Sequence, residues 1–211
     1  MKVSKFLFFT IFALVACCCT KPADDVNGSL NRVSEDLSGD YVLEHISRLD
    51  NGKMDLDGDG SSELDMIHEF YRLPGTIYSL RALVHVEKAY SYEIERYFTV
   101  SIPVQYLNYD SVSKAYSFVN PKDKGASCDL KLYYKVHKDG GVSKGSETGL
   151  LTTDLELEFG KKGVDISETQ FVDFTSFGSG YLAFIINAAY YDFAKNEYAT
   201  VPVRFTYRKV N

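Results

Sequence analysis

Apolar and polar residues alternate along most of the chain beyond residue 75. In Ile77–Lys88 the even positions are Tyr78, Leu80, Ala82, Val84 and Val86, while the odd ones include Ser79, Arg81, His85 and Glu87. In Tyr92–Leu107 the even positions include Ile94, Phe98, Val100, Ile102, Val104 and Tyr106, against Glu93, Glu95, Thr99, Ser101 and Gln105. A period of two puts one face of each segment in a core and the other in water, as antiparallel strands require. The pattern recurs in Leu130–Val136, in Leu151–Phe159 and in Val201–Tyr207. Turn residues separate these runs: Asn120-Pro121, Asp139-Gly140-Gly141, Gly160–Gly163 and Lys195-Asn196. Tyr181–Tyr191 is apolar on both faces, which fits a fully buried strand or a short buried helix, and the strand is preferred because Gly180 and the Lys195-Asn196 turn bound it.

The expected architecture is mainly β, an antiparallel barrel or sandwich with one short α-helix near 62–73. That helix is expected to open on a capping box, Ser62–Asp65, and to carry Leu64, Ile67, Phe70 and Tyr71 on one stripe. Pro74-Gly75 ends it.

The N-terminus has a different pattern. Met1–Lys5 is basic and Phe6–Ala16 is an unbroken apolar run, too short for a spanning helix, which needs about 20 residues. That is the form of a signal peptide. Leu14-Val15-Ala16-Cys17 resembles a bacterial lipobox, which implies cleavage before Cys17 and acylation of that cysteine. Ordinary secretory cleavage near Cys19 is the alternative. The expected division is therefore 1–16 signal peptide, 17–37 lipid anchor and flexible tether, and 38–211 a single β-rich domain. Asp24-Asp25 near the lipid vaguely resembles a surface-export signal.

Composition narrows the function. The 211 residues carry a formal net charge of −6. Removing residues 1–16 takes away Lys2 and Lys5, leaving 21 basic against 29 acidic residues, or −8. A general nucleic-acid binder needs a cationic surface, so that class is excluded. Lipid chains, rather than a basic patch, would hold such a protein to a membrane. Three of the four cysteines are in one run at 17–19, so there is no disulfide scaffold. Cys128 reads as a small buried residue, with a disulfide to Cys18 or Cys19 as the other option.

The sharpest chemical signal is the loop Asp55-Leu-Asp57-Gly-Asp59-Gly60 with Glu63 and Asp65 behind it. Alternate carboxylates converge on one point where glycine lets the backbone turn, and Ca²⁺ takes about six to eight oxygen ligands. Without a cation such a cluster repels itself. The loop departs from an EF-hand at Ser62 and Met66, so it reads as a shorter DxDxDG type. The expected ligands are Asp55, Asp57, Asp59, Glu63 and Asp65, holding Ca²⁺ as a structural staple at roughly millimolar levels. A solvated Asx-turn loop is the alternative.

Gly39-Asp-Tyr41-Val-Leu-Glu44, Met54–Gly60 and Glu63–Phe70, behind a lipobox, resemble the small lipocalin-like lipoproteins of the Bacteroidales type. The resemblance implies a lipidated antiparallel β-domain with a lipocalin-like meander, in the Gram-negative cell envelope, with the outer membrane as its expected site. Tyr41 stands where that family has Trp.

Other motifs lead nowhere. Gly178-Ser-Gly180-Tyr-Leu-Ala183 lacks the following helix and parallel strand of a dinucleotide fold and reads as a turn. His68-Glu69 has Arg72 where a zinc helix needs its second His. His45, His85 and His137 fall on separate strands facing solvent, and no group can be named to orient a Cys128–His137 pair. Tyr109, Tyr116, Tyr133 and Tyr198 fall on wet faces or in loops, which favours binding over catalysis. No catalytic residue or organic cofactor is expected. The leading expectation is a lipid-anchored extracytoplasmic binding or structural module with a calcium-stabilised loop and a small-molecule, glycan or protein partner. The alternatives are a lipocalin-like carrier of a small apolar ligand and, third, a glycan-acting hydrolase.

Overall fold

The structure, a computed structural model, describes residues 25–119, 127–145, 149–150 and 169–210. The signal peptide, Cys17 to Cys19, the expected strand over 151–159, and the turns at 120–121 and 160–163 lie outside them. Helix α1 spans Asp25–Leu37, followed by β1 (Gly39–Arg48), α2 (Ile67–Arg72), α3 (Ile77–Arg81), β2 (Val84–Val86), β3 (Glu95–Pro103), β4 (Leu107–Asp110) and β5 (Ala115–Phe118). Then come β6 (Ser127–Val136), β7 (Val142–Lys144), β8 (Gly149–Leu150), β9 (Gln170–Gly178), β10 (Tyr181–Asp192) and β11 (Glu197–Val210).

The protein is mainly β, as its alternation requires. One sheet has the order β2-β1-β11-β10-β9, the other β3-β6-β7 with β8 also on β6, and β4-β5 is a separate hairpin. All pairings are antiparallel. Setting the β4-β5 hairpin aside, the strands follow one another in chain order around the two sheets, and β11 returns to β1. The architecture is a flattened barrel. Its sheets approach at two seams, β2 beside β3 and β7 beside β9, which no backbone ladder joins among the described residues. Side chains cross instead: Lys144 donates to the carbonyls of Phe171 (3.1 Å) and Val172 (3.3 Å), and Arg96 to that of Lys88 (3.3 Å).

The inward faces match the period-two reading. Phe98, Val100 and Ile102 meet Leu130, Leu132 and Tyr134 on one sheet, and Leu182, Phe184 and Ile186 meet Val203, Phe205 and Tyr207 on the other, all buried. Burying each such side chain contributes about 1.5–3 kcal/mol. The sheets touch through rings: Phe177 lies 5.6 Å from Phe98 and 5.1 Å from Tyr134, centroid to centroid. Cys128 is one of the buried residues, and Gly178–Gly180 is the hairpin turn between β9 and β10.

Three local expectations are corrected. The tether read through residue 37 is a helix from Asp25, because Leu30, Val33 and Leu37 recur at helical spacing and pack on the core. Lys209 donates to its final-turn carbonyls at Glu35 (2.7 Å) and Asp36 (3.0 Å), where a cation also complements the helix dipole. Ile77–Arg81, expected in a strand, is α3, so Tyr78 is exposed and only Val84–Val86 pairs with β1. The helix expected from Ser62 starts at Ile67, and Leu64 is exposed. Residues 63 and 65 make bridges to Met54 and Ser47 instead, and that extended path replaces the capping box. Tyr41 is fully buried, and its hydroxyl donates to the carbonyl of Leu37 at 2.7 Å, closing the core beneath α1. Burial pushes that phenol up to about 12.

Candidate functional site

The acidic loop runs from Met54 to Glu63, whose bridge closes it. Asp55 is buried, and its two carboxylate oxygens accept from the N–H groups of Gly58 (2.7 Å) and Gly60 (3.0 Å). Both glycines have positive φ, +77° and +83°, so the turn that brings their N–H groups inward needs a residue without Cβ. At Gly58 a Cβ would also meet the Phe193 ring at 3.3 Å. Asp57 accepts from the N–H of Asp59 (3.0 Å), and Asp59 from that of Ser61 (2.8 Å). Successive carboxylates thus hold the backbone in a coil.

Asp55, Asp57 and Glu69 each present one carboxylate oxygen within 4.8 Å of the others, and this cluster can hold a metal ion. Glu69 is the member of this cluster that the sequence reading did not include. It lies fully buried on α2 and accepts from the N–H groups of Leu56 (3.1 Å) and Glu63 (3.1 Å), spanning the loop. Burial, with Asp57 and Asp55 close by, raises its carboxyl above the ordinary value, against the two N–H bonds that favour the charged form. Spacing alone does not mark it: Glu69 is buried on α2 with Ile67 and Phe70, and the packing of α2 against the loop brings it to the cluster.

The structure brings together only part of the expected ligand set. Asp55 and Asp57 converge. Asp59 and Glu63 lie at the rim with Arg72, which is 2.9 Å from Asp59, 3.6 Å from Glu63 and 3.2 Å from Asp57. The Ser61 hydroxyl and N–H hold Asp59 below the usual carboxylate range, with help from Arg72. Asp65 is turned away. Its Oδ1 accepts from the N–H groups of Ile46 (3.1 Å) and Ile67 (3.1 Å), and His45 lies 2.7 Å from its Oδ2, so it fastens α2 to β1. His68 is exposed on α2.

The loop also supports its neighbours. Phe193 donates its N–H to the carbonyl of Asp55 (2.8 Å), and the buried Asp192 accepts from the N–H of Asp55 (3.4 Å). Gln105, also buried, donates to the carbonyls of Leu56 (2.8 Å) and Tyr191 (3.0 Å) and accepts from the N–H of Tyr191 (2.7 Å). One amide therefore joins the loop to β10.

Beside this junction two cross-strand pairs meet, Tyr109–Tyr116 on β4-β5 and Tyr191–Tyr198 on β10-β11. Tyr116 lies 5.0 Å from Tyr109, 4.5 Å from Tyr191 and 5.4 Å from Tyr198. Tyr191 is buried and Tyr109 and Tyr198 are exposed, so the cluster both seats the hairpin and offers an aromatic face. Tyr133 is elsewhere, half-buried and paired with Tyr97 at 5.4 Å. His85 and His137 are on the outer surface beside Asp40 (2.7 Å) and Glu93 (3.1 Å), not converging with His45.

No family model, curated protein or solved structure matches the chain. No helix among the described residues is long and apolar enough to cross a membrane.

Proposed function

We propose that the protein is a lipid-anchored extracytoplasmic binding module, not an enzyme, whose acidic loop takes Ca²⁺. It resembles the lipocalin-like lipoproteins of the Gram-negative cell envelope in its lipobox, first strand and loop. The carrying observation is a polarity of the barrel. Helix α1 packs at the end that holds the β9-β10 turn, where Ser179 donates to Asp36 (2.7 Å). The acidic loop packs on the opposite end of β10, at Tyr191–Phe193. The 12 residues of β10 separate the two ends by about 36 Å, at roughly 3.3 Å per strand residue. An acyl chain at Cys17 would then enter from one end, while the loop and the tyrosine face project from the other.

Calcium suits the loop because its donors are hard oxygens. Asp55, Asp57 and Glu69 would hold the ion, and the N–H bonds already made by Asp55 and Glu69 orient them for it. The ion would neutralise three crowded carboxylates and rigidify the junction under Tyr191 and Phe193. Ring contacts filling the space between the sheets support a packed module over a carrier with an interior ligand. The glycan-acting hydrolase has no support from the acid cluster, whose carboxylates are engaged in holding backbone N–H groups.

The test is binding of envelope glycans and proteins by the wild type and by Tyr109→Ala/Tyr198→Ala, with calcium and with chelator. The expected result is calcium-dependent binding that the double variant loses. Binding indifferent to both the tyrosines and calcium would contradict the reading.

A further inference from the structure

Four large apolar side chains gather around the β2/β3 seam. Leu83 is 57% exposed, Tyr90 75%, Ile94 53% and Tyr97 51%. Leu83, Ile94 and Tyr97 line one groove of about 640 Å³, floored by Phe98 and Tyr134. Arg96, on the same groove, lies 5.8 Å from the Tyr90 ring centroid, which brings Tyr90 to its rim. Large apolar side chains exposed together, here among the polar groups of the same groove, mark a contact face.

Its position indicates what it contacts. Tyr92 falls between Tyr90 and Ile94, and its hydroxyl is 2.5 Å from that of Ser29. Ser29 is four residues into α1, which begins at Asp25, so the helix start is about 6 Å further along its axis. Seven residues, 18 to 24, separate Asp25 from Cys17. Whatever their conformation, they reach roughly 29 Å at most. Because residues 25–37 are helical, the leash is short and holds this patch close to whatever surface holds Cys17.

We propose that Leu83, Tyr90, Ile94 and Tyr97 seat on the bilayer surface to which the acyl chain on Cys17 holds the domain, an inference that rests on the lipid-anchor reading. Leucine and isoleucine side chains enter the acyl boundary, and tyrosine places its ring there with its hydroxyl in the wet headgroup layer. The charged neighbours allow shallow seating. His85 is paired with Asp40 (2.7 Å), and Glu95 reaches toward Gly145, where its oxygen lies 3.0 Å from the position of an added Cβ. Glu87 and Arg96 put one charge of each sign on the groove, which suits a zwitterionic surface. The barrel would then stand with its acidic loop and tyrosine face pointing away from the membrane.

The chain has no tryptophan, so a single introduced one reports alone. The mature protein, acylated at Cys17, is reconstituted into phosphatidylcholine vesicles, plain or brominated in the acyl chains. Ile94→Trp and Tyr90→Trp report on the patch, and Glu197→Trp, exposed at the far end of β10-β11, reports on the opposite end. The expected result is a blue shift for both patch reporters and at least twofold quenching by brominated lipid, with Glu197→Trp unchanged. Equal emission from the patch reporters in both vesicles, with acylation confirmed by mass, overturns the seating alone. A chain whose mass carries no acyl group, and which does not float with the vesicles, overturns the anchor reading and the seating with it.

Discussion

The carboxylates of Asp55 and Glu69 present oxygens within 4.8 Å of each other, and both residues are buried. Two buried acids at that separation are stabilised by a shared proton, a shared cation or backbone N–H donors. Here the N–H donors are in place, and protonation of Glu69 is favoured over that of an ordinary glutamate.

A pH dependence follows for the metal-free protein. Glu69 is raised in the folded state, so its contribution to stability is full below the ordinary value of 4.5 and is lost as pH rises through the higher folded value. Glu69→Gln cannot ionise. The stability of Glu69→Gln relative to the wild type should therefore grow as pH rises from 4.5 toward neutrality, as urea unfolding in chelator would measure. A constant difference across that range contradicts the assignment.

Asp57 and Asp65 should separate cleanly, although the sequence makes them equivalent. Asp57→Ala should abolish the stabilising effect of calcium. Asp65→Ala should retain it but lose about 0.5–2 kcal/mol with or without the ion, because it removes the acceptor at the start of α2 and the tie to Ile46. Thermal unfolding of both variants with and without calcium distinguishes these outcomes.

Arg72 lies 3.2 Å from Asp57 and would compete with a cation for it. Arg72→Gln should tighten calcium binding several-fold, because a positive charge leaves the rim, as calorimetric titration would show. The effect should be largest at low salt, since Arg72 is exposed and screening weakens it.

Gln105 makes three hydrogen bonds in a buried junction. Gln105→Leu takes this partner from the carbonyls of Leu56 and Tyr191 and from the Tyr191 N–H, and should cost about 1–3 kcal/mol for each group left unsatisfied. It should also weaken the calcium response, because the loop loses its tie to β10. Denaturant midpoints with and without calcium measure both effects.

The strands were legible because each inward face repeats every second residue, as in Phe98-Val100-Ile102 and Val203-Phe205-Tyr207. Local chemistry was legible where it is close in sequence: Asp55, Asp57, Gly58 and Gly60 form one turn. Tertiary contacts overrode the local signal elsewhere. Leu30, Val33 and Leu37 carry a helical stripe, but Gly28, Asn27 and scattered acids gave that segment the composition of a linker. Asp65 reads as a ligand by spacing, yet the Ile46 N–H and the His45 ring, both on β1, take its two oxygens. Glu69 reads as part of a failed zinc motif, and only the fold of α2 against the loop places it in the cluster. The tyrosine face was seen as separate wet aromatics; the cross-strand registers of two hairpins assemble it.

The central claim is that a cation completes the acidic loop, and the most direct measurement is thermal unfolding of the wild type across a calcium titration from chelator to about 10 mM. A site with millimolar affinity should, at ten times its dissociation constant, add about 1.4 kcal/mol. In a domain of this size that is an upward shift of roughly 3–6 °C. Magnesium, with its stricter octahedral demand, should give less. A melting temperature that does not move with calcium, in a protein that unfolds reversibly, would contradict the claim.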